Sequence, residues 1–177
     1  MMNKQVKEFM TAFGQYPCNE GLVTLLPLRF KLIDEEVEEL KNAKTRLEII
    51  DAVVDIIYVG LGTLICFEAD IDVEFDNKDP WDDTKVADII SKVNTNSLAC
   101  ARTREEFLDA TEEILYRVEG IGAMFDLEGA FNEVHRSNMS KLDRNGNPIK
   151  NHYGKVLKGP EYSPPNLGPY LPKEQID

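Results

Sequence analysis

The segment IIDAVVDIIYVGLGTLICF, residues 49–67, decides most of what this chain can become. Read as a helix at about 100° per residue, it is apolar in almost every direction, with Ile50, Val53, Val54, Ile57, Leu61 and Leu64 covering much of the wheel. One narrow stripe interrupts it: Glu48, Asp51 and Asp55, at i, i+3 and i+7. A helix apolar on so many sides belongs at the centre of a bundle, and a carboxylate there is costly unless it is paired or bound to a cation. The same acids argue against a membrane span, and the start MMNKQVKEFM has no apolar signal core, so a soluble cytoplasmic protein is expected.

The partners of that helix are legible on either side. Val6, Phe9, Met10 and Phe13 recur at helical spacing before Gly14, which gives a short first helix. A second helix is expected over residues 27–41 with Pro27 in its first turn, and the third over residues 45–68. Only Asn42, Ala43 and Lys44 separate them, so they should form an antiparallel hairpin. Further helices are expected over 83–101, 104–119 and 126–142, the second opened by the capping pattern Thr103-x-x-Glu106. The acidic stretch IDVEFDNKDPWDD lacks helical periodicity and reads as a loop, and no strand pattern competes before residue 142. Six of the nine prolines fall in the last 35 residues, which read as an extended arm laid over the body. With 177 residues, 42% of them apolar, one core is the expectation. The fold class is all-α: a single domain over 1–177, with a helical body (1–142) built round a metal-binding hairpin and a C-terminal arm (143–177).

Charge narrows the partners. A net charge of -12 argues against a protein that lives on nucleic acid, because that binding rests on Lys and Arg neutralising phosphates. Residues 133–177 hold seven Lys or Arg against five Asp or Glu, so the acid sits in the body and the base in the tail. A phosphorylated substrate would therefore need metal ions or that local basic patch. Cys18, Cys66 and Cys100 are odd in number and widely spaced, and are expected to be free thiols of a reduced protein.

The second helix supplies more acids. On its wheel Leu32, Ile33, Val37 and Leu40 share a face, Glu36 and Glu39 fall on or beside it, and Glu35 and Glu38 point away. With the turn centred near Ala43, Glu39 should lie level with Glu48 and Glu36 level with Asp51. Carboxylates so close repel one another unless a cation sits between them, and an all-oxygen set suits Mg²⁺ or Mn²⁺. His135 and His152 complete no Glu-x-x-His pair, which disfavours a di-iron bundle, and His135 reads as a packing or surface residue. Plainer accounts stand beside this one. The Glu35–Glu39 run is also what a solvated helix face looks like, and Thr45-x-x-Glu48 is also a capping box. Asp51 and Asp55 could be neutralised by Arg29, Lys44 or Arg46, and the tail lysines could simply be solvated. Asp143-Arg-Asn145-Gly-Asn147-Pro begins like a calcium loop, but Pro148 and Gly154 occupy the positions that need glycine and glutamate, so it is a turn.

The run LIDEEVEELKNAKTRLEIIDAVVDIIYVGLGT resembles the core of the MazG-like all-alpha NTP pyrophosphohydrolases. FNEVHRSNMSKL and GKVLKGPEYSPPNL resemble the branch related to phosphoribosyl-ATP pyrophosphohydrolase, found in phages and bacteria, so that the resemblance spans roughly residues 6–170. It implies Mg²⁺, two or more ions per site with Mn²⁺ as a possible substitute, bound by Glu36-x-x-Glu39 and Glu48-x-x-Asp51, with Asp55 one turn further. If the last Asp of the family's pair is aligned to Asp55, its partner position is Ala52, and Glu48 or Asp51 must serve instead. It further implies that Asn138 and Lys141 touch sugar or phosphate, with Lys155 or Lys158 as further phosphate contacts. On chemical grounds Glu39 or Glu48 is expected to take the proton of the attacking water. The implied reaction turns a nucleoside triphosphate, with a weak lean to purines, into monophosphate and pyrophosphate, in a homodimer or homotetramer that binds neither nucleic acid nor membrane.

Overall fold

The computed structural model describes residues 1–19, 21–69, 79–151 and 156–172. Its helices are α1 (Met2–Ala12), α2 (Leu22–Asn42), α3 (Arg46–Cys66), α4 (Asp83–Lys92), α5 (Asn96–Cys100), α6 (Arg104–Gly122) and α7 (Leu127–Met139), followed by a 3₁₀ turn at Gly168–Tyr170. No strand occurs among the described residues, where the only bridges are isolated ones at Leu142–Pro148 and Lys150–Val156.

α3 is the axis of the molecule. It packs against α2, α6, α1 and α7, and Ile50, Val53, Val54, Ile56 and Ile57 are completely buried. Its mean hydropathy of 2.1 and its length are those of a membrane span, yet 67% of that window is buried inside the protein, so its apolarity is used within the bundle. Closeness to α6 depends on Gly60, where an added Cβ would lie 2.7 Å from Leu115 Cδ2. Thr45 opens the helix by accepting from the Glu48 N–H while Glu48 accepts from the N–H groups of Lys44 and Thr45, a complete capping box. The same device opens α6 at Thr103 and Glu106.

Three boundaries differ from expectation. α2 begins at Leu22 and runs through Pro27, whose missing N–H leaves only the carbonyl of Val23 without its helical donor, in an exposed first turn. The helix expected over 83–101 is broken between α4 and α5, where Val93 turns extended. The break lets the Thr95 hydroxyl donate to Asp34 and buries Leu98, gains a straight helix would forgo. α7 stops at Met139, and Asp143 then accepts from Asn145 and Asn147 N–H groups in a tight turn with Gly146 at φ 79°. Beyond it the chain lies along α7: Arg136 donates to the Pro164 carbonyl, Asn166 N–H to Glu133, and Leu167 is buried.

The cysteine expectation is overturned. Cys18, in the segment after α1, and Cys66, in the last turn of α3, form a disulfide, while Cys100 is free and exposed. A separation of 48 residues hid the pair from a reading of spacings, and the packing of α1 on α3 brings the two ends together.

Candidate functional site

Packing α1, α2, α3 and α7 together leaves a cavity of about 290 Å³. Glu36 and Asp55 line it from α2 and α3, Tyr58 and Phe9 supply aromatic wall, and Asn138 and Lys141 close it from the end of α7. Sequence reasoning assigned roles to four of these residues and missed Tyr58 and Phe9, which look like ordinary core aromatics at their spacing.

The acids of α2 and α3 act on one another across the hairpin. Burial raises the Glu36 carboxyl to about 8, and the acid acting on it most strongly is Asp55, then Glu39. Asp55 is raised to about 7 by burial and then by Asp51, with Lys141 pulling the other way. Asp51 is also raised, by burial and by Glu39. Glu36 and Asp55 thus share the cavity lining, while Glu39 acts on both Asp51 and Asp55. Side chains tilt toward the N-terminus of their own helix, so those of α2 lean away from the hairpin turn and those of α3 lean toward it. An α2 acid therefore reaches toward residues further along α3 than the one level with it at Cα, as Glu36 does toward the cavity that Asp55 also lines.

Glu48 is placed apart. It is exposed, it spends Oε2 on the N–H groups of Lys44 (2.6 Å) and Thr45 (3.0 Å), and these bonds hold its carboxyl below the usual range. The capping account left open by the sequence is the one its geometry carries. Nor do the suggested cations neutralise Asp51 or Asp55. Arg46 pairs with Asp83 at 2.9 Å, and Arg29 donates to Thr63 Oγ1 and the Val59 carbonyl. Among the described residues no three Asp, Glu, His or Cys side chains are gathered closely enough to enclose an ion.

The opposite wall is basic and hydrogen-bonded. Lys141 Nζ donates to Asn138 Oδ1 at 2.7 Å. Burial lowers the Lys141 ammonium, and Asp55 opposes that shift. Asn138 also bonds Tyr58, whose phenol is pushed well above its ordinary value by burial and stays protonated. The Tyr58 hydroxyl lies 3.0 Å from His135 Nδ1, and His135 Nε2 faces Glu8 at 3.6 Å, so His135 is tied to the wall from behind. Lys158 is exposed, sits over the Tyr162 ring at 4.7 Å and acts electrostatically on Lys141; Lys155 lies outside the described residues. A larger cavity of about 390 Å³ between α4 and α6 offers less chemistry, since Lys92 and Arg117 there are already paired with Asp88 and Glu113.

The described residues thus place carboxylates of α2 and α3 and a lysine after α7 around one cavity of an all-helical bundle. Residues 1–79 match the model of the Phosphoribosyl-ATP pyrophosphohydrolase family, in line with the resemblance seen in α2 and α3. The match contains Glu36, Glu39, Asp51 and Asp55 and ends before Asn138 and Lys141. Searches of curated proteins and of solved structures found no match.

Proposed function

We propose that the protein hydrolyses nucleoside triphosphates to monophosphate and pyrophosphate, with a divalent cation held between Glu36, Glu39, Asp51 and Asp55. The observation that supports this most is that two half-buried carboxylates, Glu36 and Asp55, share one cavity with Lys141, with Asp55 pushing the Glu36 carboxyl up beyond the effect of burial. An all-oxygen set of this kind suits Mg²⁺ or Mn²⁺, and the side chains would have to draw closer to enclose one. When bound, the cation supplies Lewis acidity toward the phosphate oxygens and acidifies a water. On this reading Lys141 and Asn138 hold the phosphates or sugar from the other wall, and Lys158 adds positive charge at its edge. Glu39, more exposed than Glu36, would hold the cation through one carboxylate oxygen and take the proton of the attacking water on the other. Glu48 closes the α3 N-terminus. Assembly as a dimer or tetramer belongs to the same proposal.

A screen of the eight common NTPs and dNTPs for pyrophosphate release, with and without a chelator, tests it. Release that needs the metal and yields equimolar monophosphate is expected. Orthophosphate release, or turnover that survives exhaustive chelation, would defeat the reading. The family description is consistent with a second substrate, phosphoribosyl-ATP, which enters the screen as a ninth compound. A helical binding protein without activity is distinguished by calorimetry, since it has no reason to bind both Mg²⁺ and a nucleotide analogue.

A further inference from the structure

Arg29 has no part in the chemistry proposed above. It stands on the buried stripe of α2, in line with Leu25, Ile33 and Val37, where an apolar residue would be the simple choice. Only 6% of it is exposed. Of its five N–H donors, Nε–H goes to Thr63 Oγ1 at 3.0 Å and one Nη2–H to the Val59 carbonyl at 2.8 Å. Thr63 donates to the same carbonyl, so its hydroxyl lone pair is fixed toward Arg29. No carboxylate among the described residues pairs with Arg29. Burial lowers the guanidinium to about 10, so it remains a cation at neutral pH.

Arg29 lines the cavity, and the one sealed, unpartnered side-chain polar atom among the described residues is Gln5 Oε1, so Arg29 Nη1, with no acceptor among the described residues, is not shut in. The slot is built for it: an added Cβ at Gly62 would lie 2.6 Å from Nη2. Arg29 precedes Glu36 by seven residues and Gly62 follows Asp55 by seven, so both helices set this end about 10 Å from the acids. That separation matches the reach from the phosphate of a nucleotide to the far edge of its base. Phe9 and Tyr58, with rings 5.6 Å apart at centroid, wall the space between.

We propose that Arg29 reads the base, and that it selects a 6-oxopurine, whose O6 and N7 accept two parallel N–H bonds from one guanidinium. Adenine sets an amino donor against the same fork, and uracil or thymine offers a single carbonyl acceptor there. The inference rests on the triphosphate reading above.

Calorimetry with Mg²⁺ and triphosphates made non-hydrolysable between the α and β phosphorus atoms tests it on the unaltered protein, with guanine, adenine, 2-aminopurine and 7-deazaguanine as the bases. The guanine analogue should bind about tenfold or more tighter than adenine, and loss of O6 (2-aminopurine) or of N7 (7-deazaguanine) should each weaken it. Arg29→Gln should bring guanine and adenine to near parity. Equal binding of all four bases, or a preference for guanine that survives in Arg29→Gln, overturns the inference and leaves the triphosphate reading standing. Failure of every analogue to bind overturns both. Should Arg29→Gln not fold, the base series on the unaltered protein still decides.

Discussion

Asp55 carries the most weight of any residue in the proposal, because it lies on a helix otherwise buried in apolar contacts and its only cationic influence is Lys141. Asp55→Asn removes repulsion in the metal-free protein and a ligand in the metal-bound one. Its turnover should fall by about two orders of magnitude or more while its metal-free melting temperature stays level or rises. Steady-state rates and melts with and without Mg²⁺ check both halves. Titration gives a second expectation. Glu36 and Asp55 ionise at about 8 and about 7 in the fold, against ordinary values of 4.5 and 3.8, so the folded protein binds more protons than the unfolded chain between those limits. Metal-free stability should then fall as pH rises from about 5 to about 8, and Mg²⁺ should restore more of it the higher the pH. His135, lowered by burial, acts in the opposite sense near its ordinary 6.5, one group against the three raised acids. A melting temperature that is flat over this range, with no growing response to Mg²⁺, would remove the electrostatic basis of the site. The acids were legible in the sequence because a carboxylate stripe on an apolar helix has few explanations. Arg29 entered the sequence reading only as a cation that could neutralise Asp51 or Asp55, because the environment of its donors depends on Thr63 and Gly62, 34 and 33 residues away in the chain and adjacent only after folding.

The α2–α3 hairpin shows what periodicity can and cannot supply. Both helices and their short turn follow from apolar spacing and the Thr45 capping pattern. Their register does not, because a wheel gives the direction of a side chain around the axis and not its lean along it. The α4–α5 break escaped for a different reason: the pull on Thr95 comes from Asp34, 61 residues earlier. The hairpin also gives a test of Glu48. Glutamine preserves a capping box while removing the charge. Glu48→Gln should therefore keep turnover within about twofold and stability within about 0.5 kcal/mol, whereas Glu48→Ala should lose about 1 kcal/mol of stability with turnover kept. A hundredfold loss of rate in the glutamine variant would return Glu48 to the ligands.

At the scale of the molecule, the Cys18–Cys66 bond closes a loop of 48 residues. In the chain-entropy account a loop of that length contributes about 4 kcal/mol against unfolding. Reduction, or the Cys66→Ser variant, should lower the melting temperature substantially, and peptide mapping without reductant should recover the linked pair. Viewed as a graph, the bond turns the chain into a macrocycle with two tails. The macrocycle contains Arg29, Glu36, Glu39, Asp51 and Asp55; one tail brings Phe9 and the other brings Asn138 and Lys141. A protease that nicks the ring once leaves the acids covalently tethered to one another, whereas a nick in the long tail before Asn138 leaves its two anchoring groups held only by packing. Under non-reducing conditions the two walls of the cavity thus differ in how many cuts are needed to part them from the rest.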